Sequence, residues 1–311
     1  MKFGISLVNR GELARPEILI KIAQLAEARN LDSLTLSDHV VIPKTMPSNY
    51  PYHPEGAFDW KGARDYYEPL TTLAFLAGAT RRIRLGTSVL IISYRNPVLV
   101  AKMVSSADAL SGGRVFLGVG AGWWEEEYQA LGIGSQFAER GARTDEYLRI
   151  CRNLWREANP EFQGQFFTYG NLEFSPKPLQ SGGVPLWIGG HTTRALRRTA
   201  ELGDAWHPIG LRPPAGLNPA ELGAKVKQLH TLCEQAGRDP GTVAVCFRAP
   251  IVFSGKERGL FKGTPEQLAE DIRSYGAQGV DHVTFDLFVS STAEMEEYVE
   301  RLALEVVPLT Q

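Results

Sequence analysis

Asp38 and His39 are the residues best suited to chemistry, because they stand side by side at the end of the β-rich stretch "DSLTLSDH". A histidine in such a place can act as a general acid, donate a hydrogen bond to a bound ring or ligate a metal. The later histidines His191 and His207 show no H-x-H or H-E-x-x-H spacing that would support a metal site. We therefore expect proton transfer or ring binding and no metal. The alternative is a core histidine bonded to the backbone.

A glycine-rich stretch, "GVGAGWWEEEY" at 118–128, follows an apolar run. The dinucleotide fingerprint G-x-G-x-x-G needs a third glycine, but the frames that begin at Gly118 and Gly120 meet Trp123 and Glu125 there. The stretch is therefore not a dinucleotide loop. Its glutamates are expected to begin a helix, where the macrodipole favours acidic residues.

A second glycine pair, Gly189 and Gly190, stands in "WIGGHTTRALRRTA", ahead of a predicted helix that Thr192 or Thr193 can cap. The unpaired N–H groups at the start of a helix can bind a phosphate. The alternative is a plain strand–turn–helix connection with a capping threonine. These residues alone do not decide between the two.

Short β-rich runs alternate with helical patterns along the whole chain. Strands are predicted at 2–8, 32–39, 82–91, 113–120, 184–190, 204–209, 242–253 and 281–288. Helices are predicted between them, including 96–110, 139–155, 193–202, 219–236 and 293–304, and a capping box of Thr264 and Gln267 starts another. Eight strands alternating with eight helices predict one α/β domain over 1–311, a (β/α)8 TIM barrel, in preference to a doubly wound sheet. Inserted loops are predicted after strand 2, at 42–69, and before strand 5, at 159–183.

The polar and glycine-rich clusters share one position, since each lies late in a predicted strand or at its end. "SDH", "GTSV", "GVGAG", "IGGH" and "WHP" belong in turn to predicted strands two to six. The C-terminal ends of the strands form the catalytic face of a TIM barrel. Five clusters on one rim therefore predict an active site.

Composition argues against several other classes of protein. The net charge is −2 with both signs mixed throughout, which argues against a nucleic-acid or membrane surface. The opening apolar run is too short for a signal peptide, and no stretch approaches the roughly 20 apolar residues of a membrane span. Three widely spaced cysteines fit a reducing compartment and argue against structural zinc. We expect a cytoplasmic protein.

In their order, the clusters resemble the bacterial-luciferase-like flavin and deazaflavin oxidoreductases. The resemblance is carried by "SDH", "RIRLGTSVLIISYRNPVLVAK", "GGRVFLGVGAGWWEEEYQALGI" and "VPLWIGGHTTRALRRTAELGDAWHP", which together span roughly residues 33–209. It is closest to the branch that uses coenzyme F420. The resemblance implies a (β/α)8 barrel with an insertion, in agreement with the periodicity.

The resemblance also implies roles for individual residues. Asp38 and His39 would lie at the cofactor ring, with His39 polarising or protonating near the reactive centre. Glu127 matches the glutamate of the pattern G-W-x-x-x-E and is the second predicted catalytic residue. Ser88 and Val89 match a non-proline cis peptide whose bulge presses on the back of the ring. The remaining predicted cofactor-binding residues are Gly120, Gly122 and Trp123 beside the ring, and Gly189, Gly190 and His191 at the phosphate, with Ile188 next to them.

The glycines at 118, 120 and 122 are expected to let their strand end under a bulky ring without side chains in the way. The implied chemistry is hydride transfer between F420 and a small apolar or aromatic substrate. An FMN-dependent monooxygenase is the alternative, and a flavin- or deazaflavin-binding protein without turnover is the second alternative. The family also implies a homodimer.

The insertion at 42–69 is predicted to fold over the barrel mouth as a lid that excludes water. It carries Met46, Tyr50, Tyr52, His53, Phe58, Trp60, Tyr66 and Tyr67. A loop packed on the barrel exterior is the alternative. Arg212, Arg248 and Lys256 are candidate cations near the mouth for a phosphorylated substrate, although their positions in the sequence do not establish one.

Overall fold

Eight parallel strands form the centre of the protein. The computed structural model describes residues 1–44, 48–51, 53–56 and 65–310. Its strands are β1 (Lys2–Ser6), β2 (Ser33–Leu36), β3 (Arg84–Thr87), β4 (Leu90–Ile91), β5 (Val115–Gly120), β6 (Phe162–Gln163), β7 (Thr168–Tyr169), β8 (Leu186–Gly189), β9 (Ala205–His207), β10 (Ala244–Phe253), β11 (Lys262–Gly263) and β12 (His282–Leu287). Its α-helices are α1 (Pro16–Ala28), α2 (Pro69–Ala79), α3 (Pro97–Ser111), α4 (Glu125–Ala130), α5 (Arg140–Arg156), α6 (Thr193–Leu202), α7 (Pro219–Gln235), α8 (Pro265–Gly276) and α9 (Thr292–Arg301).

The sheet closes on itself. The order around it is β1, β2, β3, β5, β8, β9, β10 and β12, and β12 pairs in parallel with β1. The (β/α)8 TIM barrel predicted from the periodicity is therefore confirmed. Since all eight strands run in the same direction, their C-terminal ends meet at one rim.

Local sequence signals account for several helix starts. The predicted capping box of Thr264 and Gln267 is present at the start of α8, and Asn218 forms a second one with Glu221 at α7. Proline occupies the first helical position after each of these caps, where its missing N–H costs no hydrogen bond. Side-chain capping of this kind typically contributes about 1 kcal/mol per helix.

The predicted third strand is interrupted in the structure. β3 ends at Thr87, the Ser88–Val89 peptide bond is cis, and the chain resumes as β4, which pairs with β5. The continuous strand predicted over 82–91 is therefore wrong in this detail. The interruption produces a bulge at the barrel rim.

The barrel interior has an aromatic layer and a polar one. The rings of Phe116 and Trp187 stack with centroids 3.9 Å apart, next to Ala205 and Cys246. The larger apolar core lies between the strands and the surrounding helices. Polar side chains fill much of the remaining interior, including His207 at the end of β9 and His282 at the start of β12.

The two buried histidines predict that the fold is sensitive to acid. Burial lowers the pKa of His207 to about 4 and that of His282 to about 3. The unfolded chain takes up the same protons near pH 6.5, so stability is full above that pH and falls as the pH drops towards 4. His207 alone is expected to cost about 2 kcal/mol of unfolding free energy between pH 7.5 and pH 5.

Urea unfolding at these two pH values tests this prediction. His207→Asn lacks the titrating group and should lose about 2 kcal/mol less than the wild type between them. Equal losses in the two proteins would contradict the prediction.

The two predicted insertions differ in how much of them can be described. The segment before β8 contains the short antiparallel hairpin of β6 and β7. Of the aromatic-rich segment 42–69, Met46, Tyr52, Phe58 and Trp60 lie outside the described residues. Within the described ranges, no helix is both long enough and apolar enough to span a membrane.

Candidate functional site

A cavity of about 430 Å³ opens at the C-terminal rim of the barrel. Nine of the residues predicted from the sequence line it: Asp38, His39, Ser88, Val89, Gly120, Gly122, Trp123, Gly189 and Gly190. They come from β2, the β3–β4 bulge, β5 and β8 and the turns that follow. The fold therefore gathers most of the predicted site into one space.

His39 and Glu127 form a hydrogen-bonded pair at this cavity. His39 Nδ1 lies 2.7 Å from Glu127 Oε2, and Tyr94 donates to the same oxygen over 3.0 Å. The other carboxylate oxygen accepts the backbone N–H groups of Val40 and Val41 at 2.7 and 3.2 Å. Glu127 is the acceptor in each of these contacts, so His39 donates to it from Nδ1.

Glu127 itself is fully buried and does not line the cavity. Its carboxylate contacts His39, which does line the cavity, so a catalytic role for Glu127 stays a prediction. Burial and the neighbouring Glu127 carboxylate raise the pKa of Tyr94, so this phenol stays protonated and donates.

Asp38 is held by a partner that the sequence did not reveal. Arg95 donates to both of its oxygens over 2.8 Å, and the backbone N–H of Ile91 donates over 2.9 Å. Burial raises the pKa of the Asp38 carboxyl, and the Arg95 guanidinium opposes that rise. The bidentate pair fixes β2 against the segment after β4. The sequence offered one signal for Arg95, which is its position as a charged residue directly before the helix cap Asn96.

The glycines of β5 make room for the bulge at Ser88–Val89. A Cβ at Gly118 would lie 1.9 Å from the carbonyl oxygen of Thr87, and a Cβ at Gly120 would lie 2.6 Å from Val89 Cγ2. On the other side, a Cβ at Gly189 would lie 3.1 Å from Val89 Cγ1. The end of β3 occupies the space that a side chain at Gly118 would need, and Val89 occupies that space at Gly120, so close packing of the chain already requires glycine at both positions.

The turn from β8 into α6 forms a further part of the cavity wall. Gly190 has a φ of +104°, which favours glycine, and its carbonyl accepts a hydrogen bond from Trp206. The Thr192 hydroxyl caps the helix by accepting the N–H of Ala195. Thr192, Ala195 and Gly190 all line the cavity, so the positive end of α6 borders it.

Two residues predicted at this turn do not line the cavity. Ile188 is fully buried and belongs to the core beneath the helices, because alternate residues of β8 face opposite sides and Trp187 and Gly189 take the inward positions. His191 is half-buried, and burial together with Lys225 lowers its pKa. Cofactor binding by Ile188 and His191 therefore stays a prediction that the cavity lining does not support.

Three described residues of the 42–69 insertion line the cavity. Tyr50, Pro51 and Tyr66 line the cavity, and the ring of Tyr50 lies 5.2 Å from that of Trp123. Ser48 N–H donates to Glu126 over 2.9 Å, which ties the insertion to α4. That the insertion acts as a lid stays a prediction.

A polar network beneath the bulge was not predicted as a unit. His207 donates from Nδ1 to the carbonyl of Cys246, so its Nε2 accepts the Ser88 hydroxyl over 2.7 Å. Arg248 donates to the carbonyl and hydroxyl oxygens of Ser88 and to Asp286. The network links β9, β10 and β12 to the bulge and leaves the Ser88 side chain fully committed.

The fold is a TIM barrel with a cavity at its C-terminal rim, and comparison with known proteins supplies the family. Residues 1–260 match the family described as luciferase-like monooxygenase. The chain therefore belongs to the luciferase-like monooxygenase family, as the sequence clusters predict.

Three similar proteins illustrate the range of the relatives. An uncharacterised protein of Mycobacterium tuberculosis is 36% identical over 250 residues, which cover 80% of this chain and 83% of that protein. The F420-dependent glucose-6-phosphate dehydrogenase of Nocardia farcinica is 26% identical over 315 residues, covering 87% of this chain and 88% of the relative. A solved F420-dependent secondary alcohol dehydrogenase superposes with a TM-score of 0.79 at 17% identity over 100% of this chain and 99% of its own. Such neighbours share the fold.

Proposed function

We propose that the protein is an F420-dependent oxidoreductase that transfers a hydride between the deazaflavin and a small, apolar or aromatic organic substrate. One observation carries the proposal: His39, which is bonded to Glu127, the Val89 bulge and the start of α6 all border a single cavity. The similarity to an F420-dependent dehydrogenase from Nocardia farcinica supports the choice of cofactor.

The residues of the cavity fit a cofactor with a flat ring and a phosphate. Val89 stands between Gly120 and Gly189, which gives the ring an apolar surface to rest on. Gly190 and the capped start of α6 offer backbone N–H groups and a positive helix end for the phosphate. Both F420 and FMN have these two parts, so the fit supports the class of cofactor.

When bound, the deazaflavin supplies a carbon that donates or accepts a hydride. The chain supplies orientation and one proton. In this proposal His39 exchanges the proton at Nε2, and Glu127 holds the ring in the tautomer that carries hydrogen on Nδ1. Tyr50 and Tyr66 line the cavity and reduce access of water to the site.

An FMN-dependent monooxygenase is the second candidate, because the family is described by monooxygenase activity. A binding protein without turnover is less well supported, since pure binding needs no histidine held by a buried carboxylate. A homodimer, a cytoplasmic location and closure of the insertion over the substrate remain predictions.

Parallel titrations of the apo-protein with F420 and with FMN, followed by cofactor fluorescence, test the proposal. We expect F420 to bind at least about tenfold more tightly than FMN, which corresponds to about 1.4 kcal/mol. Tighter binding of FMN would move the assignment to the monooxygenase candidate. Binding of neither cofactor would contradict both.

A further inference from the structure

One wall of the cavity differs in chemistry from the glycine-rich side. It lies across the barrel from β5. It is formed by β10, by β12 and by the segments that follow β1 and β9. We call it the arginine wall and define it by Arg10, Arg212, Arg248 and Asp286, all of which line the cavity. None of the contacts proposed for the cofactor uses it.

Positive charge exceeds negative charge on the arginine wall. Asp286 accepts from Arg248 over 2.6 and 2.9 Å at one oxygen and from Arg212 over 2.7 Å at the other. One carboxylate thus serves two guanidinium groups. Arg10 lies over the ring of Tyr66 and forms no ion pair within the described ranges.

The other carboxylates near the cavity are bonded away from this wall. Asp38 is paired with Arg95, and Glu127 is bonded to His39 and Tyr94. Arg248 is only 15% exposed and commits its donors to Asp286, Ser88 and Ser6. The charge that a ligand can meet is therefore that of Arg212 and Arg10.

Arg212 also has an unused donor. Its Nε is buried and has no hydrogen-bond partner among the residues that the structure describes. Its guanidinium lies 5.1 Å from the centre of the Phe288 ring, which also lines the cavity. The Arg212 side chain is 25% exposed, and within the described residues its one side-chain hydrogen bond is to Asp286, so the exposed part of the guanidinium can donate to an acceptor supplied by a ligand.

We propose that the arginine wall binds a carboxylate group and that Arg212 makes the principal contact. A guanidinium presents planar, paired donors that match a carboxylate, and the aromatic side chains around the cavity suit an apolar or aromatic acid. The inference deepens the proposed function by naming the substrate class. The carboxylate that binds there belongs either to the substrate or to the acidic end of the cofactor.

Titration with benzoate and with its neutral isostere benzamide tests the proposal without cofactor. Binding is followed by tryptophan fluorescence, since Trp123 lines the cavity. We expect the wild type to prefer benzoate by about tenfold or more, as for one charge-assisted hydrogen bond. Arg212→Gln should abolish the preference, and Arg212→Lys should keep part of it. Lys256→Gln is the matched control, because Lys256 does not line the cavity and its loss should leave the preference unchanged.

Three outcomes would overturn the carboxylate site: equal binding of benzoate and benzamide, a preference that persists in Arg212→Gln, or tighter Arg212-dependent binding of inorganic phosphate. F420 titrations of the same variants identify the source of the carboxylate. If the bound carboxylate belongs to the substrate, Arg212→Gln should bind F420 with wild-type affinity, and benzoate should bind together with F420. If the carboxylate belongs to the cofactor, Arg212→Gln should have a lower affinity for F420, and benzoate should compete with F420. Failure of F420 to bind at all would refute the proposed function while leaving the benzoate result intact.

Discussion

Replacing His39 with asparagine is expected to slow turnover by about 10²–10⁴-fold, the usual contribution of a general acid or base. The asparagine amide can occupy the position of Nδ1 and keep the 2.7 Å contact with Glu127, but it has no counterpart of Nε2. F420 affinity should change by no more than a few-fold. The measurement is steady-state oxidation of F420H2 with the best acceptor from a screen of carbonyl and unsaturated compounds.

Two further variants separate proton transfer from positioning. His39→Ala removes both ring nitrogens and should be about as slow as His39→Asn. Tyr94→Phe deletes one donor to Glu127 and leaves three, so turnover should fall by less than about tenfold. Wild-type turnover in His39→Asn would show that the imidazole only holds Glu127 and would refute its assigned role.

Gly118→Ala is expected to destabilise the fold by about 3 kcal/mol or more, the upper range for an overpacked core. The added Cβ would lie 1.9 Å from the carbonyl oxygen of Thr87, which is backbone and cannot rotate away. Thr87 is itself fully buried and donates to the Gly118 carbonyl over 2.7 Å, so β3 and β5 would have to separate. Urea unfolding at pH 7.5 measures the loss.

Gly78→Ala is the matched control for this substitution. Gly78 lies on an exposed part of α2, and a Cβ there would meet nothing within 4 Å. Alanine should stabilise this position by about 0.5 kcal/mol, because it restricts the unfolded chain and favours the helix. A Gly118→Ala protein as stable as wild type would contradict the close approach of β3 and β5.

The barrel could be predicted because its signal is local and repeated. Each strand and each helix shows its own hydrophobic period, and each polar or glycine-rich cluster lies at the end of a strand. The position of Asp38, His39 and Gly190 at the rim therefore followed from the topology of the barrel alone. The burial of Ile188 was also within reach, since the two-residue period of a strand places Trp187 and Gly189 on the opposite face.

The contacts that were missed join residues far apart in sequence. Arg95 pairs with Asp38 across 57 positions, and Arg248 reaches Ser88 across 160. Neither residue belongs to a spacing pattern, so a single sequence carries no periodic signal for the pairing. The burial of Glu127 behind His39 likewise depends on how α4 packs against the segment after β2.

A crystal structure of the protein with F420 would show directly where the cofactor binds. We expect electron density for the ring against Val89 and next to His39, with the phosphate at Gly190 and the start of α6. A cofactor bound outside this cavity, or an empty cavity at a saturating concentration of F420, would contradict this expectation.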